Sequence, residues 1–343
     1  MYVVGVDGGT TKTIALAADC QGSILSAVRG PGSNWIGEDV QIPMEVVIQT
    51  TQAALSQAGL RGEEVTLAVF SLAGADWPED HLRRAEVLAK AGLAQRIIVK
   101  NDSFGGMRAG LRKPYGMVLA VGTGMNAAVI TPDGREWAFG YYETFGGAGT
   151  LANQIYEAVL RAEDGRGKPT LLTALLLDSL ACPDVETLLR ASVAGRIDQG
   201  KFYACAPLAF QAALSGDEVA VQIIIRQGKG LAEYITAMAR RFDMCSLEFD
   251  VVLAGSVFKG VGPLLIDTLT QEIHQVAPRA KIVRAQFEPA VGSLLLAYDS
   301  LGIPVTPEID ARLAQTNPPE GLFDTSRGSR PASIRASSKP EDK

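Results

Sequence analysis

The sequence predicts an α/β protein made by duplication: two mixed-sheet domains facing each other across a central cleft, the second interrupted by a helical insertion. Three observations carry this. The order βββαβαβα runs through residues 2–111 and begins again at residue 117, so one supersecondary plan is used twice. Each half opens on an extended apolar run that breaks at a glycine-rich turn, Gly8-Gly9-Thr10-Thr11 in the first and Gly122-Thr123-Gly124 in the second. A length of 343 residues, at roughly 100 to 200 per domain, suits two domains.

In the first half, residues 2–7, 13–18 and 23–28 read as a three-strand meander, the last two joined by the tight turn Asp19-Cys20-Gln21-Gly22. Residues 40–58 follow as a helix, because Val40, Met44, Val47, Ile48 and Leu55 fall near helical spacing. The unbroken apolar run 65–72 suits a buried strand; a helix over 80–91, a strand over 97–100 and a helix over 103–111 complete the unit. The second half repeats the meander over 117–121, 126–131 and 136–139, with Pro132-Asp133-Gly134 where the first half has its Asp-x-x-Gly turn. Residues 150–242 form the helical insertion. A strand over 249–254, a helix over 262–276, a strand over 281–283 and a helix over 290–301 close the repeat. The domains are accordingly placed at 1–114 and 115–303. Residues 304–343 turn to Pro, Ser, Arg, Glu and Lys and are expected to be a disordered tail, most clearly from Asn317 on, since they offer too little apolar surface to offset the entropy of ordering.

Composition narrows the function. With 47% hydrophobic residues, yet no run near the ~18 to 20 apolar residues of a membrane span, a soluble protein is expected. The chain opens on Tyr2-Val3-Val4 without the basic and small-residue features of a secretory signal, so the expected location is cytoplasmic. A net charge of -6 without a basic cluster argues against nucleic acid or a membrane surface as partner. Cys20, Cys182, Cys205 and Cys245 form no CxxC pair and read as reduced core residues rather than ligands of zinc or an iron-sulfur cluster. His81 and His274 sit in no motif, which leaves carboxylates as the candidate general bases.

Asp7 ends a buried strand just before Gly8-Gly9-Thr10-Thr11-Lys12. Such a loop can wrap phosphate oxygens with backbone N–H groups, while Asp7 holds Mg²⁺ through water; the other reading is an ordinary hairpin turn. Gly122-Thr123-Gly124-Met125-Asn126 stands at the matching place in the second half, and a phosphate loop in each half would face a shared cleft. Gly255-Ser256, after the strand at 249–254, is either placed to meet a nucleotide or a plain strand-to-helix turn. Asp102 follows a strand and starts a helix, as a helix cap or as the base that accepts a hydroxyl proton in phosphoryl transfer. Trp35 either stacks on a sugar face or packs.

Taken in order, Val6-Asp7-Gly8-Gly9-Thr10-Thr11-Lys12-Thr13, Leu72-Ala73-Gly74-Ala75-Asp76, Asn101-Asp102, Gly122-Thr123-Gly124-x-Asn126, Val252-Leu253-Ala254-Gly255-Ser256-Val257-Phe258 and Pro289-Ala290-Val291-Gly292-Ser293 resemble the N-acetylglucosamine kinase and BadF/BadG-type ATPase group of the actin-like, hexokinase-like superfamily. The resemblance covers roughly residues 1–302. It implies two ribonuclease H-like domains and an ATP- and Mg²⁺-dependent kinase of an amino sugar. It further implies nucleotide contacts from Asp7 to Lys12, from Gly122 to Gly124 and from Gly255, Ser256 and Lys259, with the metal at Asp7. Asp102 takes the place of the catalytic aspartate, and Asn34, Asn101, Asp102, Thr123, Asn126, Gly146 and Gly147 fall to the sugar side. A homodimer is compatible with this reading.

The chain departs from that group's Gly-Asp-Glu-Gly-Ser, which here is Gly146-Gly147-Ala148-Gly149-Thr150, and Met125 stands where a serine is usual. Losing both carboxylates is expected to remove acceptors for ring hydroxyls and leave extra volume, so that plain N-acetylglucosamine is a poor substrate or the true substrate is bulkier or differently substituted; the competing explanation is a compensating carboxylate, with Glu143 nearest in sequence. The alternatives to a kinase are an ATPase acting on an electron-transfer protein and a sugar or nucleotide sensor. The first lacks placeable cluster cysteines, and the second, as a DNA-binding repressor, lacks a helix-turn-helix before Tyr2.

Overall fold

Short glycine turns and apolar runs with β-branched residues give the chain two meanders, and each meander grows into a five-stranded sheet. The computed structural model describes residues 1–34, 41–142 and 145–323. In the first half, β1 (Tyr2–Gly8), β2 (Thr13–Asp19) and β3 (Ile24–Gly30) precede α1 (Gln41–Ala58), β4 (Val65–Leu72), α2 (Pro78–Lys90), β5 (Ile97–Asn101) and α3 (Asp102–Arg108). The sheet order is β3-β2-β1-β4-β5, antiparallel through the meander and parallel from β1 to β5.

The second half repeats the plan with β6 (Gly116–Val121), β7 (Met125–Ile130) and β8 (Glu136–Ala138). The insertion follows as α4 (Ala148–Glu163), α5 (Leu172–Ser179), α6 (Val185–Val193), α7 (Gln199–Tyr203), α8 (Pro207–Leu214) and α9 (Glu218–Arg241). Then come β9 (Asp250–Ala254), α10 (Leu264–His274), β10 (Lys281–Arg284) and α11 (Pro289–Ser300). The order β10-β9-β6-β7-β8 is the first sheet's order element for element, as duplication requires. Both are α/β domains of one design. Among the described residues, no single helix is long and apolar enough to cross a membrane.

Both sheets are covered on both faces, so their strands alternate between two cores rather than between core and water. Along β1 and β2, Val3, Ile14 and Leu16 point to one core while Val4, Val6, Ala15 and Ala17 point to another. The first of these cores joins the halves: Phe104 and Met107 of α3 and Val291, Leu294 and Leu295 of α11 pack with Val3 and Leu67 on one side and Val118, Ala128 and Val252 on the other. Burying each such side chain is worth roughly 1.5–3 kcal/mol, so α3 and α11 form the main weld between the lobes. Polar contacts add to it. Ser293 Oγ lies 3.0 Å from the Val6 carbonyl and 2.8 Å from Ser71 Oγ, and Arg108 meets Asp299 at 2.6 Å.

The expectation of disorder from residue 304 needs correction. Pro307–Thr316 forms α12 and Glu320–Phe323 forms α13. Thr306 caps α12 by accepting the Ile309 N–H, Leu313 is fully buried, and Thr316 Oγ1 accepts the Ile24 N–H at 2.9 Å. A few apolar residues at helical spacing suffice here because the β2–β3 hairpin supplies the surface that they cover. Residues 324–343 lie outside the described residues.

Candidate active site

Parallel pairing of β1, β4 and β5 brings their carboxyl ends out side by side: Asp7 is level with Ser71, Gly8 with Leu72, and Leu72 with Asn101. Three carboxylates therefore gather at one sheet edge: Asp7 in β1, Asp76 just beyond β4, and Asp102 just beyond β5. Burial pushes Asp7 up to about 7; Asp102 and Glu288 add to the rise and Lys12 opposes it. Burial likewise pushes Asp102 up to about 6, with Asp76 adding and the N–H groups of Ser103 and Asp102 and the Arg84 guanidinium opposing. Asp76 is raised by burial and by Asp80, against Arg84 and His81. Like charges crowded in a poorly solvated place hold each other's protons.

The helix cap at the β5–α3 junction is Asn101, whose Oδ1 accepts the Ser103 N–H at 2.9 Å; Asp102 is the first residue of the helix. The capping position is therefore that of Asn101, not Asp102. Asn101, expected on the sugar side, is engaged within the protein. Its side chain is only 3% exposed, and its Oδ1 also accepts from Ser103 Oγ and, at 3.0 Å, from Asn126 Nδ2. Its Nδ2 donates to Asp76 Oδ1 at 2.7 Å. Asn126 Oδ1 in turn accepts the N–H groups of Ala127 and Gly140. The chain Asp76–Asn101–Asn126–Gly140 thus runs from the first sheet to the second.

Asp76, Arg84 and Glu288 were not singled out by sequence as chemical groups. The signal for Asp76 was present, since it follows an apolar strand and a glycine, and Asp7 likewise comes at the end of an apolar strand beside glycines. Two side chains of α2 hold its turn: Arg84, fully buried, donates to the carbonyls of Ala73 (3.0 Å) and Gly74 (2.8 Å), and His81 Nε2 lies 2.8 Å from the Ala75 carbonyl.

Both glycine loops are open where a phosphate would need them. In the first, the Gly9 N–H bonds to the Lys12 carbonyl at 2.9 Å, closing the turn and leaving Thr10 and Thr11 exposed. A β-carbon at Gly8 would sit 2.6 Å from Leu72 Cδ2 and 2.7 Å from Ser33 Oγ, whereas at Gly9 its nearest neighbour is the Lys12 carbonyl at 3.5 Å. Gly8 is thus packed tight, whereas Gly9 leaves its face open. Asn34 lies on this loop, its Nδ2 donating to Thr10 Oγ1 at 3.1 Å. Burial lowers the Lys12 pKa, with Glu288 and Asp7 opposing. In the second loop, the Gly122 N–H bonds to the Gly124 carbonyl at 2.9 Å, Thr123 and Gly124 are exposed, and nothing lies within 4 Å of a β-carbon placed on Gly124. Ser256 Oγ stands 4.0 Å from the corresponding point on Gly122, so the third glycine turn joins this loop; Lys259 is exposed at the end of the same short 3₁₀ turn.

The stretch 146–148 corrects a second expectation. Gly146 and Gly147 are buried beneath the second loop rather than lining an enlarged sugar pocket. The Ala148 N–H bonds to the Gly122 carbonyl at 2.8 Å, and a β-carbon on Gly147 would overlap the Thr123 carbonyl and lie 2.7 Å from Gly124 Cα. No volume is gained where the acidic pair is missing: backbone has closed into it. Trp35 and Glu143 lie outside the described residues.

Among the described residues no group of three or more His, Cys, Asp or Glu side chains is gathered to hold a metal alone. Asp7 suits a magnesium that keeps most of its water and arrives on phosphate oxygens, which needs only one or two carboxylates. A cavity of about 600 Å³ between α4 and α9, lined by Gln154, Arg161 and Arg226 among others, shares no residue with this constellation.

The sequence matches the model of the BadF/BadG/BcrA/BcrD ATPase family over residues 4–297. It is similar to an N-acetyl-D-glucosamine kinase of Dictyostelium discoideum, 27% identical over 312 residues that span 87% of this chain and 98% of that protein. An N-acetylmuramic acid/N-acetylglucosamine kinase of Clostridium acetobutylicum is 24% identical over 301 residues, spanning 86% of this chain and 98% of its own. Among solved structures, a candidate N-acetylglucosamine kinase of Chromobacterium violaceum shares the fold with a TM-score of 0.64 at 24% identity, over 86% of this chain and 98% of that one.

Proposed function

Since the chain belongs to the BadF/BadG/BcrA/BcrD ATPase family, we propose that it is an ATP- and Mg²⁺-dependent kinase that phosphorylates a hydroxyl of an N-acetylated amino sugar. The single observation that carries this reading is the Asp102 carboxylate, relieved of helix capping and set beside Asp7 in a site that also presents two open glycine loops. Thr10, Thr11, Thr123 and Gly124 offer N–H and hydroxyl donors to the nucleotide's phosphates, with Lys12 supplying charge, and Gly255, Ser256 and Lys259 border the nucleotide side. Asp7 is the residue that would hold magnesium through water, and the ion would supply positive charge to the transferring phosphoryl group. Asp102 accepts the proton of the attacking hydroxyl. A carboxylate pushed up to about 6 is ionised at neutral pH yet more basic than an ordinary aspartate, which suits a general base. In this reading Asn34, Asn101, Thr123 and Asn126 are the polar side chains on the sugar side.

The test is ADP release over a panel of glucosamine, N-acetylglucosamine, N-acetylmuramic acid and neutral hexoses, against a blank without sugar. Release that depends on an N-acetylated sugar is the expected result. Turnover of equal rate in the blank would instead mark an ATPase acting with a protein partner, and no turnover with intact nucleotide binding a sensor. A cytoplasmic location goes with this reading, where ATP is available and thiols stay reduced; all four cysteines are free. So do a homodimer and the lack of a nucleic-acid or membrane partner, which sedimentation and binding assays check.

A further inference from the structure

We propose that Asp76 is a positioning residue for phosphoryl transfer: through Asn101, its carboxylate fixes the spacing between Asp102 on the first lobe and Asn126 on the second. The inference rests on the reading of Asp102 as the general base. It goes beyond that reading by giving a role to a carboxylate that the reaction itself does not use.

The argument is one of hydrogen-bond polarity. Asn101 is buried, so each of its polar atoms needs a partner. Its oxygen is spent on the Ser103 N–H, the Ser103 hydroxyl and Asn126 Nδ2. The amide nitrogen must then face an acceptor, and Asp76 Oδ1 at 2.7 Å supplies one. An ionised carboxylate has no hydrogen to offer, so it admits only this orientation of the Asn101 amide. That orientation presents an acceptor to Asn126, whose own oxygen is held by the Ala127 and Gly140 N–H groups. Removing Asp76 leaves a buried donor unpaired at the residue immediately before Asp102, and slackens the one side-chain chain described above that links the β5–α3 junction to β7.

Asp76 is itself rigidly placed. Arg84 and His81 of α2 hold the three carbonyls of its turn, and Gly140 packs on it, a β-carbon there lying 3.2 Å from Asp76 Cβ. Gly8 to Lys12 and Gly122 to Gly124 take no part in this chain. Its loss should therefore be felt on the sugar side of the reaction and not in nucleotide affinity.

The experiment compares Asp76→Ala, Asp76→Asn, Asn101→Ala and the double variant Asp76→Ala/Asn101→Ala in steady-state kinetics with the best sugar of the panel and ATP. For Asp76→Ala, kcat/KM for the sugar is expected to fall ~10- to 10²-fold, the scale of a misplaced reacting group, with the KM for ATP within about twofold of wild type. Asp76→Asn, whose amide oxygen still accepts the Asn101 N–H, recovers most of that loss, and the double variant is no worse than Asn101→Ala alone. If Asn101→Ala does not fold, Asn126→Ala takes its place in the cycle. A wild-type kcat/KM in Asp76→Ala would overturn the proposal, as would an ATP KM that moves as far as the sugar's, a failure of Asp76→Asn to rescue, or losses that multiply in the double variant. Asp102→Asn, assayed alongside, separates the two claims: if it keeps its turnover the general-base reading fails, whatever Asp76 does.

Discussion

The two halves share a strand order but not a chemistry. At the carboxyl ends of β1, β4 and β5 the first half carries Asp7, Asp76 and Asp102, each with its proton held more tightly than usual. At the equivalent ends of β6 and β9 the second half carries Gly122-Thr123-Gly124 and Gly255-Ser256, and Glu288, just ahead of α11, adds to the rise at Asp7. Both halves carry an open glycine loop, and the first half carries the cluster of carboxylates besides. Phosphoryl transfer needs both: donors for the phosphate oxygens, and a base for the acceptor.

The strongest way to break this division of labour is at Asp102. Asp102→Asn is expected to lower sugar-dependent turnover by the ~10² to 10⁴ typical of a lost general base, measured as initial rates of ADP release. Next in size is a change that tries to give the second half a carboxylate. Gly147→Asp should not restore acidic contacts to a sugar; it should push apart the second loop and the start of α4, costing about 1–3 kcal/mol in denaturant unfolding, as overpacking does. Unchanged stability would mean that the closure at Gly147 is looser than the structure shows.

The pH dependence sharpens the comparison, because activity and stability should run in opposite directions. Asp102 must be ionised to act, so kcat/KM should be lost as pH falls through about 6. For stability the sign reverses. The folded-state values of about 7 and about 6 lie above the 3.8 of an unperturbed aspartate, so between these limits the folded chain binds more protons than the unfolded one. Ligand-free stability from these two groups is therefore lost as pH rises from about 4 to about 7. Asp102→Asn should flatten that slope in chemical denaturation. The smallest effect belongs to the Lys100–Glu136 pair, which joins the edge strands β5 and β8 at 2.6 Å. Its coupling in a double-mutant cycle should be within about 1 kcal/mol and shrink in salt, as for other partly exposed pairs.

The duplicated order, the two glycine turns and the positions of Asp7 and Asp102 at strand ends were legible because they depend on local signals: strand periodicity, glycine punctuation, and acidic residues after apolar runs. The hydrogen-bonded chain through Asn101 was not legible because its partners, Asp76 and Asn126, are each 25 residues away in sequence and meet it only when β4, β5 and β7 are assembled. Gly147 was misread for the same reason, since an acid-to-glycine change looks like lost volume until the backbone of Thr123 is seen against it. At α12 a local signal was outweighed by composition. Thr306-Pro307-Glu308 is a helix start by capping residue, first-turn proline and acidic first turn, and it held because the β2–β3 hairpin covers the helix.

The measurement that bears most directly on the division between the halves is calorimetric titration of Mg-ATP into two variants, one from each side: Asp102→Asn and Gly124→Val. The account predicts that Asp102→Asn binds Mg-ATP with wild-type affinity while failing to turn over with sugar, and that Gly124→Val, whose side chain projects into the open face of the second loop, loses that affinity while staying folded. Equal weakening in both variants, or wild-type binding in Gly124→Val, would contradict it.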